Sequence, residues 1–213
     1  MKNSETSTKI TDVWSRFSKQ FHLTAMQIQQ FQKYSALLCE WNKKISLTGI
    51  TDPVAIIKDH FQDSLMISSF LDFHTISMVG DIGTGAGFPG IPLKIYYPHL
   101  EVVLIEVTHK KIIFLETLIK ELNLKNITIN SLDWRTFLRK THYPINLFIA
   151  RASISIDELI RMFKPTSPYC NAQLVYWSSH SWSIPVVAQP FVQREEGYMI
   201  NSKKRRYIFF ERH

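Results

Sequence analysis

The residues best suited to chemistry lie in the run Gly80-Asp81-Ile82-Gly83-Thr84-Gly85-Ala86-Gly87-Phe88-Pro89-Gly90-Ile91-Pro92. An apolar stretch of strand character precedes it and a helical pattern follows, so the run marks a strand-to-helix turn. Glycines in such a turn let a ligand approach the backbone closely and face the N–H groups of a helix N-terminus. That is the outline of a nucleoside-cofactor site. Glu106 lies nineteen residues after Gly87, at the end of the next candidate strand, where a carboxylate can accept hydrogen bonds from both hydroxyls of a ribose. Gly85, Gly87 and Gly90 also satisfy the dinucleotide pattern G-x-G-x-x-G, so the glycines alone do not choose the cofactor. An NAD-dependent oxidoreductase is therefore a competing reading.

Several polar residues are candidates for a substrate site. On a helix, His60, Asp63 and Ser64 have i, i+3 and i+4 spacing and share one face. They would shape the cofactor pocket or hold their helix against the glycine loop, or else form a satisfied buried network. Arg151 follows the fourth candidate strand, at the sheet edge where open α/β folds bind ligands, and its planar, always charged guanidinium suits substrate positioning. A surface ion pair is the alternative. The formal charge of +7 and the run Lys203, Lys204, Arg205 and Arg206 favour a polyanionic partner through Coulomb attraction and counterion release, although such runs are commonly solvated faces. Cys39 and Cys170 are too few for a disulfide framework or a four-cysteine zinc site, and the histidines show no ligand spacing, so no metal is expected.

These residues need elements to position them. Apolar positions recur at three and four residue spacings from Thr24 to Trp41, with Thr24 and Gln27 at capping-box separation. Asp52-Pro53 reads as the start of a second helix running to about Phe70. From Ile76 onward, short apolar strands alternate with amphipathic helices, which argues for a parallel sheet with crossover helices. Candidate strands are Ile76 to Ile82, Glu101 to Ile105, Asn126 to Ile129, Ile145 to Ala150 and Gln173 to Tyr176. Helices are expected near Ile91 to Tyr97, His109 to Leu122 and Ser155 to Phe163. The apolar runs Val186 to Val192 and Tyr207 to Phe210 suggest a closing hairpin, with Ser178 to Pro185 as a loop. The expected organisation is a helical extension over 1–75 on an α/β domain over 76–213. No stretch reaches about 18 apolar residues and the N-terminus lacks a signal-like apolar run, so a cytoplasmic protein is expected, as a monomer.

Asp81 stands two positions before Gly83, and the resulting D-x-G-x-G-x-G run resembles the first motif of Rossmann-like S-adenosylmethionine-dependent methyltransferases. There the carboxylate helps hold the methionine end of the cofactor. Asp133, just after the third candidate strand, sits where such enzymes often present a carboxylate to the adenine amino group, with Trp134 available to stack. An exposed aspartate and a surface-packed tryptophan are the alternative. With Gly85 to Leu93 in view, the chain is similar to the bacterial small-subunit (16S) ribosomal RNA guanosine-N7 methyltransferases, also called glucose-inhibited division protein B. The resemblance includes Trp41-Asn42-Lys43-Lys44, Leu47-Thr48, His60-Phe61-Gln62-Asp63-Ser64-Leu65, Lys110-Lys111, Phe114-Leu115 and Arg151-Ala152.

It implies a Rossmann-like class I methyltransferase fold with helices on both faces of a mostly parallel sheet, and S-adenosylmethionine held by Asp81, Gly83, Thr84, Gly85, Gly87, Phe88, Glu106, Asp133, Trp134 and Arg151. It also implies methylation of a guanine N7 in ribosomal RNA, with His60, Asp63 and the Lys203 to Arg206 run toward the substrate. The sequence departs from the family pattern at Ser46, Leu132, Asn146 and Trp177, which makes another substrate, or a noncatalytic RNA-binding protein of the same fold, a reading to carry.

Overall fold

The computed structural model describes residues 2–151 and 154–212, so Ala152, quoted above with Arg151, lies outside the described residues. The chain opens with α1 (Lys2–Gln20), followed by α2 (Ala25–Asn42). Both halves of the expected capping box close at α2: Thr24 accepts from the Gln27 N–H and the Gln27 side chain accepts from the Thr24 N–H. The next helix, α3 (53–69), starts as expected with the Asp52 carboxylate accepting from the Ala55 N–H and Pro53 in the first turn. Its interior is irregular. A π-helical stretch, Ile56–Gln62, gives way to one α-helical turn, Asp63–Leu65, and a 3-10 turn, Met66–Ser69. Such wide turns inside a helix are frequent at functional sites, and this one carries Asp59 and His60.

The sheet has seven strands: β1 (Met78–Ile82), β2 (Glu101–Ile105), β3 (Ile127–Asn130), β4 (Leu147–Arg151), β5 (Gln173–Ser179), β6 (Val192–Ile200) and β7 (Lys203–Phe210), in the order β3-β2-β1-β4-β5-β7-β6. The first five are parallel, and β7 enters antiparallel between β5 and β6. The connecting helices are α4 (Gly90–Tyr96), α5 (His109–Glu121), α6 (Trp134–Lys140) and α7 (Ile156–Leu159), the last continued by a 3-10 turn to Phe163. This is the Rossmann-like α/β arrangement expected from the alternation of elements.

Strand alternation sorts the core into two layers. Val79, Leu147, Ile149, Val175, Trp177, Tyr207 and Phe209 join Phe17, Phe31, Tyr34 and Phe61 of the N-terminal helices in one apolar cluster, while Ile82, Phe148, Ala150, Tyr176 and Ile208 join Phe137, Leu159 and Phe163 in the other. Helices α1 to α5 thus cover one face, and α6 and α7 the other.

The closing hairpin differs from expectation in its first arm. Val186–Phe191 forms a 3-10 turn with Val186 and Val187 exposed, and the strand is the more polar Val192–Ile200. As an edge strand, β6 needs only one apolar face, so its residues carry charges that hide it from a search for apolar runs. Strand β5 likewise extends to Ser179, into the expected loop, because β7 pairs with it that far. Helix α6 is absent from the sequence expectations; Asp133, read above only as a ligand contact, caps it by accepting from the Arg135 and Thr136 N–H groups.

Candidate active site

Parallel strands bring the turn after β1, the end of β2, the loop after β3 and the end of β4 to one carboxyl edge. Asp81 is fully buried on β1 and faces α4. Its Oδ2 accepts from the Thr84 hydroxyl at 2.6 Å and the Gly90 N–H at 2.8 Å, while Oδ1 has no hydrogen-bond partner among the described residues. Burial raises the Asp81 carboxyl from 3.8 to about 6, against the lowering pull of those hydrogen bonds. A side chain at Gly90 would strike Asp81 Oδ2 at 2.7 Å, so glycine is needed there for close approach.

Glu106, also buried, reaches back from β2 to the loop. Its Oε2 accepts from the Gly85 N–H at 3.0 Å and its Oε1 from the Thr108 N–H at 2.9 Å. Gly85 has a φ of +61° and open space beside it, since an added Cβ would meet nothing nearer than the Gly83 carbonyl oxygen at 3.9 Å. The far wall of the loop is aromatic. Phe88 is stacked between Tyr34 and His60, with ring centroids 5.2 Å and 4.3 Å away, and the Tyr34 hydroxyl donates to the Ala86 carbonyl at 2.6 Å. Tyr34 sits in the apolar pattern of α2, where its spacing marks it as core and nothing announces the loop contact.

Arg151 shares the face of Leu147 and Ile149 on β4, so strand alternation aims it at α3. Its guanidinium lies 3.3 Å from Asp63 Oδ2, donates to His60 Nδ1 at 3.1 Å, and stands 5.2 Å from the centre of the Phe88 ring. Because arginine only donates, His60 Nδ1 must be the acceptor, which puts the ring proton on Nε2, 2.8 Å from the Thr48 hydroxyl. Burial, reinforced by Arg151, lowers His60 to about 3, so the imidazole is neutral at physiological pH.

Asp63 is completely buried and joins four elements. Its carboxylate faces Arg151 and Arg205 at 3.3 Å each and accepts from the Tyr198 hydroxyl at 2.8 Å; its carbonyl accepts from the Trp177 indole N–H and the Tyr207 hydroxyl. Nothing in this arrangement leaves Asp63 a surface for RNA. It pairs with Arg151 instead, so the direct substrate contact expected of its carboxylate is closed off by burial.

A scan of known families finds that residues 27–179 match the family described as rRNA small subunit methyltransferase G. The chain belongs to that family. It is similar to the ribosomal RNA small subunit methyltransferase G of Bacillus pumilus, 40% identical over 145 residues, covering 67% of this chain and 61% of that protein. It is also similar to the namesake from Halalkalibacterium halodurans, 38% identical over 160 residues, covering 74% and 67%. With the Lysinibacillus sphaericus relative the share falls to 46% of that protein, so the chain spans about half to two thirds of the length of these relatives. Among solved structures, a putative methyltransferase of Escherichia coli aligns with a TM-score of 0.58 at 16% identity, over 79% of this chain and 92% of its own. A SAM dependent methyltransferase of Aquifex aeolicus aligns with a TM-score of 0.54 at 14% identity, over 81% and 98%. These two share the fold.

The remaining expected site residues divide by position. Asp133 is exposed, with Oδ1 committed to capping α6, and Trp134 is partly buried beneath the Arg135 guanidinium. The Lys203 to Arg206 run is split by its place in β7. On one face Lys203, its side chain still 55% exposed, pairs with Asp59 and Arg205 pairs with buried Asp63, whereas Arg206 on the other face pairs with Glu195 and donates to the Trp182 carbonyl. Only Lys204 of the four lacks a side-chain partner among the described residues, and the run is divided between the two faces of the strand. Period-two alternation, which a count of charges does not register, is the cause.

The family departures are also sorted. Asn146 lies at the amino end of β4, away from the site, where its Oδ1 accepts from Ser77 and Met78. Trp177 is buried beside Asp63, and Ser46 sits in a turn held by the Asn42 side chain. Leu132 stands exposed in the loop after β3, at the carboxyl edge. Among the described residues no group of three acidic, histidine or cysteine side chains could hold a metal, and no helix is long and apolar enough to cross a membrane.

Proposed function

We propose that the protein transfers a methyl group from S-adenosylmethionine to a guanine N7 of small-subunit ribosomal RNA. The observation that carries this reading is the pairing of Asp81 and Glu106 around a glycine loop open at Gly85. The residues present fit the cofactor. Asp81 keeps one buried carboxylate oxygen without a partner, Glu106 stands at the strand end suited to ribose hydroxyls, and Gly85 offers backbone with no side chain in the way. When bound, the cofactor supplies an electrophilic methyl on a sulfonium.

What the chain must add is mainly placement. Guanine N7 has an exposed lone pair and no proton to lose, so the reaction needs alignment rather than a general base, and alignment alone is worth several kcal/mol. Neutral His60, its Nδ1 occupied by Arg151, agrees with a site that moves no proton. Arg151 is held on three sides by Asp63, His60 and Phe88, with 15% of its side chain exposed at the carboxyl edge. From there its fork can orient the purine by donating to O6 while N7 stays free.

The test is methyl incorporation from labelled S-adenosylmethionine into small-subunit RNA or subunits, with calorimetric titration of S-adenosylmethionine against NAD. Incorporation at a guanine and binding of the first cofactor only are expected. Binding of NAD in its place would overturn the assignment. Arg151→Ala should bind cofactor but lose turnover at saturating RNA, and full turnover would remove Arg151 from the site.

A further inference from the structure

On the sheet face opposite α3, a cavity of about 350 Å³ opens between α6 and the segment that follows α7. Its floor is apolar, with Leu138 and Met162 buried, and its rim carries Arg135, Arg139, Arg161 and Lys164. Arg135 pairs with Glu158 and lies 4.4 Å from the Trp134 ring centre. Arg139 commits its Nε to the Arg135 carbonyl, and Arg161 and Lys164 form no side-chain hydrogen bond or salt bridge among the described residues. Four cations therefore surround one concavity with a single carboxylate, Glu158, on its lining.

Like charges gathered at a concave surface repel one another and focus a positive field, which a polyanion relieves. The position adds direction. The groove begins at Trp134, immediately after Asp133 on the carboxyl edge, and descends past Arg139 to Lys164 and Pro168, toward the start of β5. The groove thus leads away from the carboxyl edge.

We propose that this groove binds the sugar-phosphate backbone of a single-stranded RNA segment flanking the methylated base, with phosphates on the four cations and a ribose or base face on the apolar floor. A single strand fits a narrow concavity that offers both cations and an apolar floor, the combination by which proteins track unpaired strands. The inference rests on the methyltransferase reading and assigns RNA contact to residues outside the Lys203 to Arg206 run.

The test is the triple variant Arg139→Gln, Arg161→Gln, Lys164→Gln, whose side chains are exposed and whose folding is checked by thermal melting. Binding of a labelled single-stranded oligonucleotide of ribosomal sequence is followed across a salt series. Loss of three phosphate contacts should reduce the slope of log affinity against log salt by about 2 and weaken binding more than tenfold at low salt. KM for RNA should rise, with kcat at saturating RNA and cofactor affinity unchanged. An unchanged salt slope in the folded variant overturns the proposal, as does full displacement of the oligonucleotide by an equal concentration of adenosine monophosphate, which would reveal a mononucleotide site. Should the wild-type protein methylate no RNA, the proposed function fails, while the salt slope still decides whether the groove holds a strand.

Discussion

Replacing Asp81 by asparagine should change how stability depends on pH, by an amount the buried carboxylate sets. In the folded protein Asp81 keeps its proton up to about pH 6, whereas in the unfolded chain it ionises near 3.8. Between those values the folded state binds more protons, so stability falls as pH rises, by about 3 kcal/mol once pH exceeds 6. His60 works the other way. Its folded value of about 3 lies below the ordinary 6.5, so the unfolded chain takes up the proton first and stability is lost as pH falls below 6.5. The two slopes oppose each other between about pH 4 and 6, and the wild-type profile alone conceals both.

Asparagine has nearly the shape of aspartate, and in Asp81→Asn the amide oxygen can still accept from Thr84 and Gly90. The cost of the unpaired amide group is constant with pH and cancels in a difference. Urea denaturation of both proteins from pH 4 to 7 should therefore show the variant gaining on the wild type by roughly 2.4 kcal/mol across the range. Parallel profiles would refute the claim that this carboxylate is held uncomfortably in an apolar site. The variant should also bind S-adenosylmethionine more weakly, because a neutral amide cannot form the charge-assisted hydrogen bond that a carboxylate makes with the cofactor's amine.

Other substitutions separate binding from folding. Gly85→Ala should cost only about 1–2 kcal/mol of backbone strain yet reduce cofactor affinity at least tenfold in calorimetry, since its methyl group projects into open space; unaltered affinity would move the site elsewhere. Gly87→Ala should instead destabilise the fold by about 2–5 kcal/mol in urea denaturation, because its φ is +99° and the new Cβ lies 2.8 Å from both Ile91 and the Tyr34 hydroxyl. Glu106→Ala should weaken S-adenosylmethionine binding by about 1.5–3 kcal/mol, the range for hydrogen bonds to a charged group, and a titration indistinguishable from wild type would exclude the ribose contact. Arg205→Gln should lower stability by about 1.5–3 kcal/mol by removing one partner of buried Asp63, whereas Lys204→Gln should change it by less than about 0.5 kcal/mol; equal effects in denaturation would contradict the inward and outward alternation of β7.

Local chemistry made much of this protein legible in one dimension. The glycine run, the capping box at Thr24, the Asp52-Pro53 helix start and the alternation of apolar strands with helices are all decided by residues near one another in the chain. So is the meeting of Asp81 and Glu106, because consecutive parallel strands end at the same edge. The sequence presents His60, Asp63 and Arg151 only as separate candidates, and their meeting depends on β4 turning Arg151 toward a helix 88 residues away in sequence.

Tertiary structure alone decided the rest. Strand pairing split Lys203 to Arg206 between two faces, so a run that reads as one basic patch supplies ion pairs to Asp59, Asp63 and Glu195. Edge position let β6 be polar and therefore invisible to an apolar search, and packing recruited Tyr34, a residue indistinguishable from its core neighbours on α2, to hold the glycine loop. The sequence therefore determined most of the elements and the glycine loop, through periods and turns of short range. Which charges face solvent and which are drawn into ion pairs was decided by long-range strand pairing, since a side chain's neighbours across a sheet depend on register rather than on its place in the chain.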